Sequence, residues 1–538
     1  MTKQVLIIGA GPGGLASAIL LAAAGLRVKI IERLPVVGGR TSAIESGGFR
    51  FDLGPTFFLY PRVLEEIFAT AGTSLRREVE MVRLDPQYRI LFGAGGKLDC
   101  TPNLTDMDRQ ITALSPSDAG GFGRFLSENR VKLARMEPCL ESPFLGWRDL
   151  LQKRLVKLLP MLRPHQSLDS YLKRFFQDER VRLAFCFQSK YLGMSPFRCP
   201  SLFSILSFLE YEQGVYHPLG GCAAVTAAMA RLAGRMGVDI CVNEPAKRIL
   251  FNGRRAIGAL TAGGNVFRAD AVIVNADFAR AMEKLVPDDL RSRWTDRKLA
   301  GKKYSCSTFM MYLGVEGLFK LPHHTIYIAG DYAKNLDDIE NRHVLSEDPS
   351  FYIQNACVTD PSLAPRECST LYVLTPVTHQ HSNVDWSREK NRYRDLMFHQ
   401  IKKAGYDLDP ARIRYERVLT PSEWDNRYEI YRGATFNLAH TLEQMLHLRP
   451  RNRFEDLQGV YLVGGGTHPG SGLPVIFESA RISTKLLMND LGIKFPVAAV
   501  SPSTEASGIR RETTETLAEW RLKTGTMECR ANGRNVEL

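Results

Sequence analysis

The chain of 538 residues has ten cysteines, Cys100, Cys139, Cys186, Cys199, Cys222, Cys241, Cys306, Cys357, Cys368 and Cys529, but no Cys-x-x-Cys pair and no complementing histidine cluster. That scatter excludes a metal site and a disulfide scaffold, and makes reduced thiols in a cytosolic compartment the expectation. A run of 18 apolar residues is also missing, so no segment is expected to span a bilayer. Only Met1-Thr2-Lys3-Gln4 precedes the first apolar strand, which leaves no room for a signal peptide. Lys and Arg number 70 against 58 Asp and Glu, a net charge of +12 that favours anionic partners. No basic run interleaved with aromatics accompanies that excess, so nucleic acid is not expected as a partner. A membrane surface or an acidic substrate remains.

What is present begins at Val5. The apolar run Val5-Leu6-Ile7-Ile8 reads as a buried parallel strand. It enters Gly9-Ala10-Gly11-Pro12-Gly13-Gly14, then an Ala-rich helical stretch from Leu15 to Gly25, then a second strand, Val28 to Ile31, ending at Glu32. Strand, glycine turn, helix, strand and acidic end make a dinucleotide-binding fingerprint. Gly9 permits the tight turn, Gly11 the approach of a pyrophosphate, and Gly14 close packing of helix on strand. The helix N-terminus offers free N–H groups to phosphates, and Glu32 offers a carboxylate to both hydroxyls of an unphosphorylated ribose.

Further on, a helix is expected over 62–71 and another over 115–134, the latter capped at Ser115. Trp147, Leu151, Leu155, Leu158 and Leu162 fall at helical spacing, ringed by Arg148, Lys153, Arg154, Lys157 and Arg163. Such a basic amphipathic helix either lies in the headgroups of an anionic membrane or packs its stripe on the core. The apolar stretches at 191–196 and 201–209 read more readily as core than as the lining of a greasy cavity. Helices are expected over 223–236, 386–404 and 475–491, and strands over 239–242, 269–277 (ending in small and polar residues), 307–315, 370–378 and 459–463. A strand feeding Gly464 to Pro474 and then a helix repeats the anion-site geometry near the end of the chain. After about Pro496 the Ser, Thr, Arg and Glu content predicts a mobile tail.

With these residues in view, the chain resembles the bacterial phytoene-desaturase-type carotenoid desaturases, within the amine-oxidase-like flavoproteins, over about residues 3–492. The resemblance rests on Gly9 to Gly14, Gly38-Gly39-Arg40, Phe49 to Thr56, Gly193 to Pro196, Gly214 to Gly221, Asn275-Ala276-Asp277 and Gly464 to Pro474. It implies an α/β fold: a glutathione-reductase-like, Rossmann-type FAD-binding domain interleaved with a mixed sheet-plus-helix substrate domain. The expected segments are 1–100, 215–295 and 456–495 for FAD, 101–214 and 296–455 for substrate, and 496–538 as tail.

The same resemblance implies FAD as the cofactor, held by Gly9, Gly11, Gly14, Glu32, Arg33, Gly38, Gly39, Arg40, Thr41, Gly54, Pro55, Thr56, Gly465, Gly466, Leu473, Pro474 and Val475. No metal is expected. It further implies a long isoprenoid or carotenoid substrate, peripheral attachment to the cytoplasmic side of a membrane, and oxygen or a quinone as electron acceptor. Hydride transfer from an allylic carbon followed by proton loss needs no strong catalytic dyad, and no catalytic residue is assigned. Glu478 and His468 stand near the expected flavin end, as candidates to assist proton loss or as a helix acid and a turn histidine. Alternatives are a carotenoid oxidase, ketolase or isomerase of the same family, and a non-enzymatic isoprenoid carrier on the same fold. The segment Val475 to Arg481 departs from the usual Gly/Ala-rich continuation and points towards members acting on C30 substrates.

Overall fold

The structure is a computed structural model that describes residues 2–152, 166–496 and 498. Its organising element is a five-stranded sheet assembled from distant parts of the chain. Strand β1 (Gln4–Ile8) lies between β2 (Arg27–Ile31) and β4 (Ala271–Val274), while β3 (Asp239–Cys241) and β5 (Val460–Leu462) form the edges. All four pairings are parallel, with Ile7 level with Ile30 on one side and Ile273 on the other.

A parallel sheet needs cover on both faces, which explains the unbroken apolar run of β1. Val5 and Ile7 enter the core beneath helices α1 (Pro12–Ala23), α2 (Cys222–Arg235) and α3 (Leu473–Asp490). Leu6 and Ile8 enter the opposite core, against the antiparallel strands Ala246–Asn252 and Arg255–Thr261 and the helix Phe278–Leu285. Glycines set the closeness of these layers: a Cβ on Gly13 would stand 2.5 Å from Val463 Cγ1 and 3.1 Å from Ile476 Cγ2.

A second sheet has seven strands, in the order Ile413–Leu419, Ser307–Glu316, Cys368–Val377, Phe351–Gln354, His324–Ile328, Tyr88–Phe92 and Lys97–Cys100. Only the pairing of His324–Ile328 with Tyr88–Phe92 is parallel. The last two strands lie within the first expected segment, 1–100, yet close the edge of this sheet. Alternation along Ser307–Glu316 separates its two faces. Phe309, Met311 and Leu313 pack under Trp386, Tyr393, Met397 and Ile401 of the helix Trp386–Lys403. Thr308 and Met310 face a cavity.

A helical layer covers the far side of that cavity. Its helices Leu104–Leu114, Gly121–Leu140 and Ser204–Gln213 pack around an aromatic core that includes Phe122, Phe125, Phe176, Phe185 and Tyr211. The helix expected over 115–134 is thus shifted. Asn103, accepting from the Asp106 N–H at 3.0 Å, caps an earlier helix, Ser115 ends it, and the long helix starts only after Gly120 at φ +70°.

The amphipathic stripe expected from Trp147 to Leu162 is also interrupted. Trp147–Leu151 form one 3₁₀ turn, whose Asp149 carboxylate accepts from the Leu145 and Gly146 N–H groups at 2.7 and 2.9 Å, and Gln152 is extended. Leu155, Leu158 and Leu162, like the tail expected after 496 apart from residues 496 and 498, lie outside the described residues.

Candidate active site

A cavity of about 1030 Å³ runs between the two sheets and under the helical layer. Of the expected cofactor residues, Gly9, Gly11, Glu32, Arg33, Gly39, Arg40 and Thr41 line it from the N-terminal fingerprint, and Gly54, Pro55 and Thr56 from the following loop. Gly465, Leu473, Pro474 and Val475 line it from the C-terminal turn. Segments more than 400 residues apart are thereby brought to one wall.

Gly14, Gly38 and Gly466 do not face the cavity; they let backbone segments pack. A Cβ on Gly14 would lie 2.1 Å from the Gly9 carbonyl oxygen, and one on Gly466 would lie 2.7 Å from Phe278 Cβ. Gly38 sits at φ +102°, where it donates its N–H to the Ala10 carbonyl at 2.8 Å and ties the Gly-Gly-Arg segment to the first turn.

The charged groups on this wall suit a dinucleotide. Helix α1 starts at Gly11 with no side chain capping it and with Pro12 at its first position, so its N-terminal N–H groups point towards the cavity end. Glu32 is buried, its carboxylate accepting from the Ala10 N–H at 2.7 Å and the Leu34 N–H at 2.8 Å. Those bonds fix both oxygens and leave lone pairs for further donors such as ribose hydroxyls. Arg40 donates to the Thr435 carbonyl at 2.5 Å. Burial pulls its pKa down and the Asp277 carboxylate raises it. Burial likewise pushes Asp277 up, against the helix-start N–H of Arg280 and the charge of Arg40. A half-buried guanidinium lining a cavity beside a helix N-terminus is a pyrophosphate environment. These residues fit FAD, with Arg40 and the α1 N-terminus at the phosphates and Glu32 at the ribose.

Several lining residues escaped sequence reasoning. Pro245, Ala246 and Lys247 line the cavity, as do Tyr428, Ile430 and Thr435, of which Thr435 accepts from Arg40 through its carbonyl. Nothing local in the sequence marks them. Arg449 is fully buried, and its guanidinium donates to the carbonyls of Gly465 at 2.6 Å and Thr467 at 3.2 Å, so it shapes the Gly-rich turn from behind. Burial lowers its pKa to about 9.

Away from this wall the cavity is largely apolar. Leu202, Phe203, Ile205, Leu206 and Leu209 line it, while Phe208 of the same helix packs into the helical core. The stretch 201–209 therefore both lines the cavity and forms core, where core was the favoured reading. Leu133, Met136 and Leu140 extend the lining, and Leu442, Met445 and Leu446 continue it. Leu442 is 52% exposed, so the apolar end of the cavity reaches the surface there.

His468 and Glu478 both line the cavity. His468 Nε2 lies 3.0 Å from the Ser142 carbonyl, its donor nitrogen in that tautomer, and its buried Nδ1 has no hydrogen-bond partner among the described residues. Burial lowers its pKa to about 4, so the ring is neutral at pH 7. Burial raises Glu478 to about 7, partly opposed by Arg481 and reinforced by Glu141 and Glu66. No group of three or more His, Cys, Asp or Glu among the described residues could hold a metal.

The comparisons with known proteins agree with this geometry. Residues 12–485 match the family model of flavin containing amine oxidoreductases. The 4,4'-diapophytoene desaturase (4,4'-diapolycopene-forming) of Methylomonas sp is 40% identical over 495 residues, covering 92% of this chain and 97% of that protein. The all-trans-zeta-carotene desaturase of Myxococcus xanthus is 40% identical over 506 residues, covering 91% and 94%. The lycopene-forming phytoene desaturase of Pseudescherichia vulneris is 34% identical over 492 residues, covering 91% and 100%. Among solved structures, an engineered putrescine oxidase matches with a TM-score of 0.58 at 15% identity, covering 91% of this chain and 99% of that one. A Rab GDI from Plasmodium falciparum matches with a TM-score of 0.53 at 12% identity, covering 92% and 99%, so the fold alone does not separate oxidase from carrier. By its family match and its relatives, the chain belongs to the flavin containing amine oxidoreductases, FAD-dependent enzymes, and within them to the phytoene-desaturase-type carotenoid desaturases.

Proposed function

We propose that this protein desaturates a linear polyisoprenoid carotenoid precursor, of the phytoene or diapophytoene kind. The observation that carries the reading is one cavity with two characters: a wall of Gly9, Gly11, Glu32 and Arg40 fitted to a dinucleotide, continuous with an apolar lining that reaches the surface at Leu442. Bound FAD supplies the acceptor for a hydride leaving an allylic carbon. The chain's own residues do the remaining work. The α1 N-terminus and Arg40 would hold the phosphates and Glu32 the ribose, while Gly54 to Thr56 and Leu473 to Val475 would contribute to the flavin's part of the cavity. Leu133, Met136, Ile205 and Leu209 hold the polyene and exclude water from the reacting bond. A polyene delocalises the positive charge left by the hydride, so the protein needs to supply only orientation and a destination for one proton.

In this reading 1–100, 215–295 and 456–495 serve the cofactor, and 101–214 and 296–455 serve the substrate. The protein rests on a membrane surface without spanning it, and oxygen or a quinone reoxidises the flavin. Among the described residues no helix is long and apolar enough to cross a membrane. The dinucleotide-fitted wall supports an enzyme rather than an isoprenoid carrier, because a carrier has no use for Arg40 or for the Glu32 carboxylate.

The test is expression in cells that accumulate colourless C30 or C40 precursors, with extracts read by absorbance and mass. The expected products absorb at longer wavelength and are lighter by pairs of hydrogens. Unchanged precursors, together with a gain of oxygen mass on a supplied coloured carotene, would replace this reading with an oxidase or ketolase.

A further inference from the structure

Away from the dinucleotide wall, the cavity lining includes a cluster of charged side chains. Glu478 lies in the second turn of α3, just beyond Leu473 to Val475, and lines the cavity with its side chain 6% exposed. Its ion-pair partner, Arg481 at 3.2 Å, is shared with Glu66 at 2.7 Å. Glu66 also pairs with Arg62 at 3.1 Å, and Arg62 in turn holds Glu137 at 2.8 Å and Glu141 at 2.9 Å. Tyr60 joins the set, donating its hydroxyl to Glu137 at 2.7 Å and accepting from Arg62 Nε at 2.8 Å.

Four carboxylates thus share two guanidinium groups. The least hydrated carboxylate is the one a proton stabilises most, and that is Glu478. The others are more open to water: Glu66, Glu137 and Glu141 are 27%, 31% and 33% exposed. Arg62, Glu137 and Glu141 line the same cavity, so the cluster is one charged patch on its wall, with Glu478 its most buried carboxylate.

We infer that Glu478 is the proton acceptor of the desaturation, and that Arg481, itself held by Glu66, positions its carboxylate. This rests on the desaturase reading above. In the step, one C–H bond of the allylic carbon leaves with its electron pair as hydride to oxidised FAD. The neighbouring C–H bond gives its proton to a Glu478 carboxylate oxygen, and its electron pair becomes the new C=C bond. The carboxyl then releases that proton to water, while oxygen or a quinone takes the electrons from the flavin. A pKa raised by burial to about 7 matches an acceptor working near neutral pH.

The experiment uses the FAD-loaded wild type, E478Q and E478D. Difference infrared titration without substrate should show in the wild type a carboxylic-acid C=O band that disappears with a midpoint near pH 7 and is missing in E478Q. With a colourless C30 or C40 polyene, the wild-type rate should rise with pH through the same midpoint. E478Q should bind FAD as tightly, lose that rising limb and turn over about 100-fold more slowly or worse. E478D should restore part of the rate with a shifted midpoint, and it decides the matter if E478Q does not fold. An E478Q rate within about twofold of wild type with the same pH profile, or no titrating band in the wild type, would overturn the assignment. A wild type that desaturates neither polyene would instead sink the desaturase reading, while the infrared titration still reports on Glu478.

Discussion

In the proposed reading Arg40 is a main phosphate contact, because it lines the cavity together with Gly11 and Pro12 at the α1 N-terminus. Its fixed bond goes to a neutral carbonyl, that of Thr435. A pyrophosphate would supply the charge-assisted partner that the carbonyl cannot. Replacing Arg40 with Ala should cost about 1.5–3 kcal/mol of FAD affinity, roughly 10–150-fold in Kd. Fluorescence titration of the apoprotein with FAD checks this, and an unchanged Kd would remove Arg40 from the phosphate site. Glu32 and Arg40 were both legible in the sequence, because a fingerprint binds chemistry to fixed spacings. Tyr428, Thr435 and Arg449 were not. They reach the site through tertiary packing of a loop whose local sequence carries no periodic or turn signal.

Among the elements, strand and helix positions were largely readable wherever a period was strong. The helices expected over 62–71, 223–236 and 386–404 occur as Arg62–Thr70, Cys222–Arg235 and Trp386–Lys403. Prediction failed where a side-chain cap or an unusual backbone outweighed the pattern, as at Asn103, Gly120 and Asp149. Glycine roles divide in the same way. Gly14 and Gly466 serve packing between elements, yet their substitutions should differ. In Gly14→Ala the new Cβ meets the Gly9 backbone oxygen at 2.1 Å, so α1 must leave β1 and carry its N-terminus away from the phosphates. Both stability and FAD affinity should fall, with overpacking costing about 1–3 kcal/mol or more. In Gly466→Ala the collision is with Phe278 Cβ at 2.7 Å, behind the cavity wall. Stability should fall by a similar amount, while the folded fraction keeps its FAD affinity. Thermal unfolding of apo and FAD-loaded forms separates the two. Equal loss of FAD affinity in both variants would make Gly466 a cofactor contact after all.

At the scale of the whole molecule, the surface end of the cavity and the exposed apolar residues coincide. Trp147 and Leu151 are 62% and 66% exposed on the 3₁₀ turn, and their neighbour Leu150 packs in one small cluster with Leu446, which lines the cavity. Leu442 stands exposed at the same end. Arg148 lies over the Trp147 ring at 5.7 Å, which sets a cation beside the tryptophan as headgroup binding requires. A water-insoluble polyene entering here would pass from lipid to cavity without crossing water. Changing Trp147 and Leu151 together to Glu removes two insertions worth up to about 1.5–3 kcal/mol each when fully buried, and adds two charges repelled by anionic lipid. Sedimentation with vesicles of mixed neutral and anionic phospholipid should show binding at least tenfold weaker. FAD content and thermal stability should stay at wild-type values, because neither side chain packs in the core. Turnover of polyene delivered in vesicles should fall, while turnover of detergent-dispersed polyene should not. Undiminished vesicle binding in the double variant would move the membrane contact elsewhere on the molecule, and equal loss of turnover in both assays would make the two residues part of the substrate path instead of the anchor.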